Sequence, residues 1–222
     1  MTVEAVLLDL DGTLVDTAPD LVRVLNRLLV EDGRPKMPYA IARNEVSNGA
    51  AGLLRLGFGE GQSEQELAPL RARFLEYYAD DLCIDSRLFI EIENIHHQDH
   101  DIAWGIVTNK PNSLTVALLE RLGIHDLPAC VIGGDRLPQR KPHPAPLRLA
   151  ASELGVTPER CVYVGDAPRD IEAGRAAGMT TIAAAYGYIR PGVDVAGWGA
   201  DLLIKRPHEL RDALQQLGAR AP

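Results

Sequence analysis

The chain has 222 residues, 46% of them hydrophobic, which is enough for one buried core or a core with a smaller insert. Its net charge of −8 disfavours nucleic acids as partners, and no apolar run reaches the length of a bilayer span, which disfavours membrane proteins. The first residues lack the basic region and cleavage site of a signal peptide, and the three cysteines have no metal-ligand spacing. We therefore expect a protein of the reducing cytoplasm.

Short apolar runs and helical patterns alternate along most of the chain. Apolar runs typical of strands buried on both faces of a parallel sheet occupy residues 3–10, 103–107, 129–132, 161–164 and 181–185. Apolar residues at helical spacing, each time followed by a glycine, occupy residues 113–122, 144–154, 168–177 and 207–217. The alternation predicts an α/β fold with a doubly wound parallel sheet and a Rossmann-like core.

Residues 15–85 have a different pattern, with several helical segments and no convincing strand. Ser63 and Glu66 match a capping box at the start of one helix. Its predicted apolar face consists of Leu67, Leu70, Phe74, Tyr77 and Tyr78. We therefore predict a helical insert between the first two strands of the α/β core.

The first predicted strand ends in the sequence Asp9-Leu10-Asp11-Gly12-Thr13. Residues two apart on a strand share a face, so we expect Asp9 and Asp11 to converge where α/β sheets bind ligands. Two neighbouring carboxylates repel unless a cation lies between them, and oxygen ligands suit Mg²⁺. Gly12 permits a sharp turn of the backbone. The alternative is a strand end followed by a solvated acidic turn.

Polar residues also follow three later strands. Thr108 and Asn109 follow the second strand, Lys141 precedes Pro142 and Pro144 just before a helix, and Asp166 and Asp170 follow the fourth strand. Each also has an ordinary structural explanation, since Thr, Asn and Asp cap helices and most lysines are solvated. Because the carboxyl ends of parallel strands share one sheet edge, we expect these residues to meet there with the Asp pair.

These four segments resemble the four motifs of the haloacid dehalogenase-like hydrolase superfamily, over essentially the whole chain. The resemblance implies that Asp9 is a nucleophile and Asp11 a general acid/base. It also implies that Thr108 and Lys141 bind phosphate oxygens. Asp166 would bind Mg²⁺ beside Asp9 and the carbonyl of Asp11.

Further roles follow from the same resemblance. Asp170 would support the metal or Lys141, and Gly12 and Asn109 would lie around the phosphate. Residues 15–85 would form a helical cap on a catalytic core made of residues 1–14 and 86–222. One segment between two cap helices, Ser47-Asn48-Gly49, would form either a specificity loop or an ordinary turn. Arg43 and Arg55 are either contacts for a substrate carboxylate or sugar, or solvated surface residues.

The resemblance predicts a Mg²⁺-dependent phosphomonoesterase that acts on a small phosphorylated metabolite through a phosphoaspartate. Residues 14–21, 131–135 and 186–188 resemble bacterial phosphoglycolate phosphatases. Residues 86–89, 186–189, 198–201 and 207–211 resemble the N-acetylmuramic acid 6-phosphate phosphatases of cell-wall recycling, which gives an alternative substrate. The motifs are also compatible with a phospho-receiver, a sugar-phosphate mutase or a binding protein without turnover. A monomer and a homodimer both fit the sequence.

One stretch, residues 90–101, departs from the family pattern. It is polar and rich in histidine, and His96 and His100 have the i, i+4 spacing of helical metal ligands. A solvated helix end is the simpler interpretation.

Overall fold

A computed structural model describes residues 2–89 and 102–218 of the chain. Six strands form one parallel sheet in the order β5-β4-β1-β6-β7-β8. They are β1 (Ala5–Leu8), β4 (Ala103–Val107), β5 (Cys130–Ile132), β6 (Cys161–Gly165), β7 (Thr180–Ala184) and β8 (Leu202–Ile204). The five predicted strands of the sheet are thus confirmed, and the short β8 was not predicted. The histidine-rich residues His96 and His100 lie outside the described residues.

The helices confirm the predicted alternation of strands and helices. After β4 they are α5 (Asn112–Arg121), α6 (Ala145–Leu154), α7 (Pro168–Ala177) and α8 (Glu209–Gln216). Gly155 and Gly178, just beyond α6 and α7, have the left-handed backbone that glycine adopts at helix ends. The α/β architecture with a doubly wound parallel sheet is therefore confirmed.

The central strand β1 is buried on both faces, as its continuous apolar run predicts. Val6 and Leu8 pack in one hydrophobic cluster, while Ala5 and Leu7 pack in another on the opposite face. All four residues have 0% exposure. Helices cover both faces of the sheet, so ligands can reach it only at its edges and strand ends.

Between β1 and β4 the chain is mainly helical. It forms α1 (Ala18–Glu31), α2 (Tyr39–Ala42), a 3-10 helix (Arg43–Asn48), α3 (Gly49–Phe58) and α4 (Glu64–Asp80). The expectation that residues 15–85 contain no strand was wrong, because β2 (Val15–Asp16) pairs antiparallel with β3 (Arg87–Leu88). This two-stranded ribbon was too short to give a periodic pattern.

The predicted capping box at the start of α4 is present. The side chain of Ser63 accepts a hydrogen bond from the backbone N–H of Glu66, and Glu66 accepts one from the N–H of Ser63. Phe74 and Tyr78 on its apolar face are buried in the same hydrophobic cluster as Leu8 of β1. In the described part of the chain, no helix is both long enough and apolar enough to cross a membrane.

Candidate active site

Polar side chains from three neighbouring strands meet at the carboxyl edge of the sheet. Asp9 follows β1, Thr108 follows β4 and Asp166 follows β6. Lys141 reaches the same place from the segment between β5 and α6. All four are buried, with exposures of 5%, 4%, 2% and 3% in that order. A parallel sheet places these ends together, as the sequence predicts.

Three carboxylates form an acidic cluster at this edge. Asp9, Asp166 and Asp170 each place an oxygen within 4.8 Å of the others. Burial, together with the charges of Asp9 and Asp170, raises the pKa of Asp166 to about 7. Burial also raises the pKa of Asp170, although Lys141 acts in the opposite direction. We define these three residues as the acidic cluster.

Lys141 supplies the positive charge beside this cluster. Its Nζ lies 2.9 Å from Asp9 Oδ1 and 2.8 Å from Asp170 Oδ1. It also donates to the hydroxyl of Tyr163 (2.7 Å). Burial lowers the pKa of Lys141, but the carboxylates of Asp170 and Asp9 outweigh it, so the pKa is raised. The ammonium is thus held charged between two acids.

Asn109 positions the backbone of Lys141. Its Nδ2 donates to the Lys141 carbonyl (3.0 Å), and its Oδ1 accepts from the Lys141 N–H (3.0 Å). The helix after β4 begins only at Asn112, with Pro111 before it, so Thr108 and Asn109 are not its caps. Contact of Thr108 or Asn109 with a phosphate stays a prediction.

The acidic cluster fits a divalent cation. Oδ2 of Asp166 accepts hydrogen bonds from Ser47 Oγ (2.6 Å) and from the Tyr188 N–H (2.8 Å). Its other oxygen, Oδ1, is buried and has no hydrogen-bond partner among the described residues. An unpartnered buried carboxylate oxygen beside two further carboxylates is the ligand set that Mg²⁺ prefers.

Gly12 lies directly against this carboxylate. Its φ of +85° is in the region that favours glycine, and an added Cβ would lie 2.2 Å from Asp166 Oδ2. The glycine therefore allows the turn after Asp9 to approach Asp166. Contact between Gly12 and a substrate phosphate stays a prediction.

The carboxylate of Asp11 does not join the acidic cluster. Strand β1 ends at Leu8, and the chain turns where Leu14 and Val15 donate to the Leu10 carbonyl. Asp9 and Asp11 do line one cavity at this edge, but through this turn and not through strand alternation. Asp11 Oδ1 instead accepts from Thr17 Oγ1 (2.6 Å) and from Lys110. Metal binding by the Asp11 carbonyl stays a prediction.

Lys110 is a site residue that the sequence analysis missed. Its buried Nζ lies 3.1 Å from Asp11 Oδ1 and donates to Tyr78 Oη (2.9 Å) on α4. Burial acts to lower the pKa of Lys110, but Asp11 and Tyr78 outweigh it and raise the pKa. The available signal was its position directly after Thr108 and Asn109, within the same strand-end segment.

A cavity of about 280 Å³ lies between this edge and the helical segment. Ser47, Asn48 and Gly49, which were predicted as a loop or turn, line it together with Asp9, but Ser47 and Asn48 end the 3-10 helix and Gly49 begins α3. Arg169 holds this segment, because its guanidinium donates to the Ser47 carbonyl and to Asn48 Oδ1. The other polar lining residues are Asp11, Arg71, Tyr78, Thr108, Asn109, Lys110, Arg140 and Arg169. One cavity thus brings the predicted loop and most of the strand-end residues together.

The arginines considered from the sequence do not line this cavity. Arg43 donates to the Gly187 carbonyl, and Arg55 pairs with Glu64. Arg71 of α4, Arg140, beside Lys141, and Arg169 of α7 line it instead. Helix packing, which the sequence pattern did not resolve, decides which arginines point inward.

Comparisons with known proteins identify the family of this chain. A family model described as "Haloacid dehalogenase-like hydrolase" matches residues 6–184. The chain is 42% identical over 210 residues to a phosphoglycolate phosphatase of Xanthomonas campestris, covering 93% of this chain and 94% of that one. It is 38% identical over 218 residues to an N-acetylmuramic acid 6-phosphate phosphatase of Pseudomonas aeruginosa, covering 97% and 96%.

A solved structure gives the same result for the fold. The crystal structure of a predicted phosphoglycolate phosphatase from Haemophilus somnus superposes with a TM-score of 0.82 at 28% identity. The match covers 96% of this chain and 98% of that one, so it includes both the sheet and the helices between β2 and β3.

Proposed function

This chain belongs to the haloacid dehalogenase-like hydrolase family and is a phosphatase, and from that premise we propose that it is a Mg²⁺-dependent phosphomonoesterase that works through a phosphoaspartate at Asp9. The buried acidic cluster with its unpartnered Asp166 oxygen is the observation that carries the proposal. The substrate is a small phosphorylated metabolite. Two relatives of this chain are named as phosphatases of 2-phosphoglycolate and of N-acetylmuramic acid 6-phosphate. Both of these compounds carry a carboxylate besides the phosphate.

Asp9 and Asp166 would hold the metal ion, with Asp170 beside them and the Asp11 carbonyl completing the protein ligands. When bound, the ion supplies charge that screens the repulsion between carboxylate and phosphate and stabilises the transition state. Lys141 also screens this repulsion, because its ammonium is fixed next to Asp9.

Separate residues carry out nucleophilic attack, proton transfer and phosphate binding. The Asp9 carboxylate attacks phosphorus, and the bond from phosphorus to the leaving oxygen breaks. Asp11 gives a proton to that oxygen, and later takes one from the water that attacks the phosphoaspartate. Lys110 and Thr17, which both contact the Asp11 carboxylate, fix its direction. Thr108 and Lys141 bind phosphate oxygens.

The residues between β2 and β3 act as a cap in this proposal. They close the cavity over the sheet edge, which excludes water and strengthens the electrostatic interactions inside. Two contacts support this role. Ser47 of the cap donates to Asp166, and Arg169 of the core donates to the Ser47 carbonyl.

Phosphate release with Mg²⁺ tests the proposal. The substrates are 2-phosphoglycolate, N-acetylmuramic acid 6-phosphate, phosphoserine and hexose phosphates, each with and without a chelator. We expect metal-dependent release of free phosphate from at least one of them and none from the Asp9→Asn variant. Near-normal turnover by freshly purified Asp9→Asn would contradict the mechanism. An isomer formed without free phosphate would indicate a mutase.

A further inference from the structure

One face of α4 runs along the cavity from the reaction edge outward. Arg71, Phe74, Leu75 and Tyr78 line the cavity at i, i+3, i+4 and i+7, so they share one side of the helix. Tyr78 marks the inner end, because its hydroxyl accepts from Lys110, which contacts Asp11. Arg71 lies two turns earlier, about 10 Å along the helix axis at 1.5 Å per residue.

The guanidinium of Arg71 has no ion pair or hydrogen-bond partner within residues 2–89 and 102–218. Arg73 on the same helix, outside the cavity, pairs with Glu31 at 2.6 Å. Of the other two arginines of the cavity wall, Arg169 donates to Ser47 and Asn48, and Arg140, which also has no side-chain partner among the described residues, is adjacent in sequence to Lys141 at the phosphate end. A free guanidinium at a cavity wall is suited to an anion, and its planar fork matches a carboxylate with two parallel hydrogen bonds.

The wall between the two ends of the cavity is apolar. Val46, Ala50 and Ala51 face it from the 3-10 helix and α3, and Phe74 and Leu75 face it from α4. In 2-phosphoglycolate the carboxylate is attached to the carbon that carries the ester oxygen, so this acid would leave the apolar wall uncovered. A substrate that fills the cavity has a larger body between its phosphate and its second anionic group.

Resting on the proposed function, we infer that Arg71 is the specificity residue for a substrate carboxylate that a sugar ring separates from the phosphate. The phosphate lies at Asp9 and Lys141, the ring lies against the apolar wall, and the carboxylate pairs with Arg71. Among the substrates named for its relatives, N-acetylmuramic acid 6-phosphate has this arrangement, since its phosphate is on C6 and its lactyl carboxylate is attached through the oxygen on C3, so that part of the sugar ring lies between the two anionic groups. It is therefore the preferred substrate over 2-phosphoglycolate.

A pair of sugar phosphates isolates the carboxylate. N-acetylglucosamine 6-phosphate is N-acetylmuramic acid 6-phosphate without the lactyl ether, so the ratio of their kcat/KM values measures recognition of that group. We expect the wild-type protein to favour the lactyl compound by about 10- to 100-fold, the range for a hydrogen bond to a charged group. In Arg71→Met the ratio should fall close to one, mainly through KM for the lactyl compound.

Two further variants separate recognition from folding and from helix charge. Arg71→Lys keeps the charge without the planar fork and should recover part of the ratio. Arg73→Met removes a positive charge from the same helix outside the cavity and should leave the ratio unchanged. A ratio that survives in Arg71→Met, or falls equally in Arg73→Met, would overturn the assignment. Hydrolysis of both sugars at equal rates by the wild type would overturn it while leaving the phosphatase mechanism intact, whereas no metal-dependent phosphate release from any substrate would count against the proposed function itself.

Discussion

Ser47 Oγ donates a 2.6 Å hydrogen bond to Oδ2 of Asp166, so the helical segment touches the acidic cluster directly. Oδ1 of Asp166 has no hydrogen-bond partner among the described residues, and it is the oxygen that we propose for a cation. A residue of the predicted specificity loop therefore also orients a proposed metal ligand. In the proposed function, substrate recognition and metal binding would share this contact, so a change at Ser47 should affect both.

The Ser47→Ala variant should bind Mg²⁺ more weakly. Removal of a residue that orients a metal ligand typically costs 10- to 100-fold in metal affinity, and we expect about 10-fold because the Tyr188 N–H still holds Oδ2. The measurement is the Mg²⁺ concentration that gives half-maximal phosphate release. Ser113→Ala, which removes an exposed hydroxyl from α5, is the matched control. Equal Mg²⁺ requirements in the two variants would exclude the orienting role.

The stability of the metal-free protein should fall as pH rises. The pKa of Asp166 is about 7 in the folded protein against an ordinary value of 3.8, so between these values the folded state holds a proton that the unfolded state has lost. The free energy of unfolding therefore decreases with increasing pH across this window, and the raised pKa of Asp170 adds to the same slope.

Chemical denaturation with a chelator at about pH 5 and about pH 8 measures this slope. Asp166→Asn should flatten it and should be more stable than the wild type at the higher pH, because a repulsive buried charge is gone. Mg²⁺ should stabilise the wild type at the higher pH and have little effect on Asp166→Asn. A wild type that is equally stable at both values without metal would contradict the assignment of this carboxyl.

Gly12→Ala should abolish activity, because its Cβ would lie 2.2 Å from the Asp166 carboxylate in a backbone conformation unsuited to alanine. Gly33→Ala is the control, since Gly33 has a φ of +69° but nothing lies within 4 Å of an added Cβ. The control should lose about 1 kcal/mol of stability and keep its activity. Phosphate release and thermal unfolding of both variants distinguish the close approach from backbone strain alone.

Adjacent tyrosines on α4 allow a test of the Lys110 contact. Tyr78→Phe removes the hydroxyl that accepts from buried Lys110 and should lower the free energy of unfolding by about 1 kcal/mol. It should also lower kcat, because Lys110 helps to direct Asp11. Tyr77→Phe removes only a hydrogen bond to exposed Glu31 and should change both quantities much less. The opposite order of effects would show that Lys110 does not depend on Tyr78.

Much of the site could be predicted because each strand is a buried apolar run that ends at a polar residue. Asp9, Thr108 and Asp166 follow their strands directly, and parallel pairing then brings them to one edge. Lys141 was expected to neutralise an anion, and in this structure it contacts the acids Asp9 and Asp170.

The details that were not predicted depend on turns and on helix packing. The turn at Leu10 sends Asp11 to Lys110, and no periodicity in the sequence reports it. Arg71 lies on the cavity face of α4 because Phe74 and Tyr78 pack in the hydrophobic core. The periodicity of one helix predicts the direction of this face only approximately. Such contacts are set by tertiary structure, so they become visible only when the helices are docked on the sheet.

The proposed phosphorylation of Asp9 during turnover is the step on which the remaining assignments depend. Acid quenching in the steady state, reduction with borohydride and mass analysis of the peptides detect it directly, because an aspartyl phosphate is reduced to homoserine. We expect homoserine at position 9 in a reaction that requires both substrate and Mg²⁺, with none in Asp9→Asn. Reduction at another aspartate, or at none while phosphate is released rapidly, would contradict the mechanism.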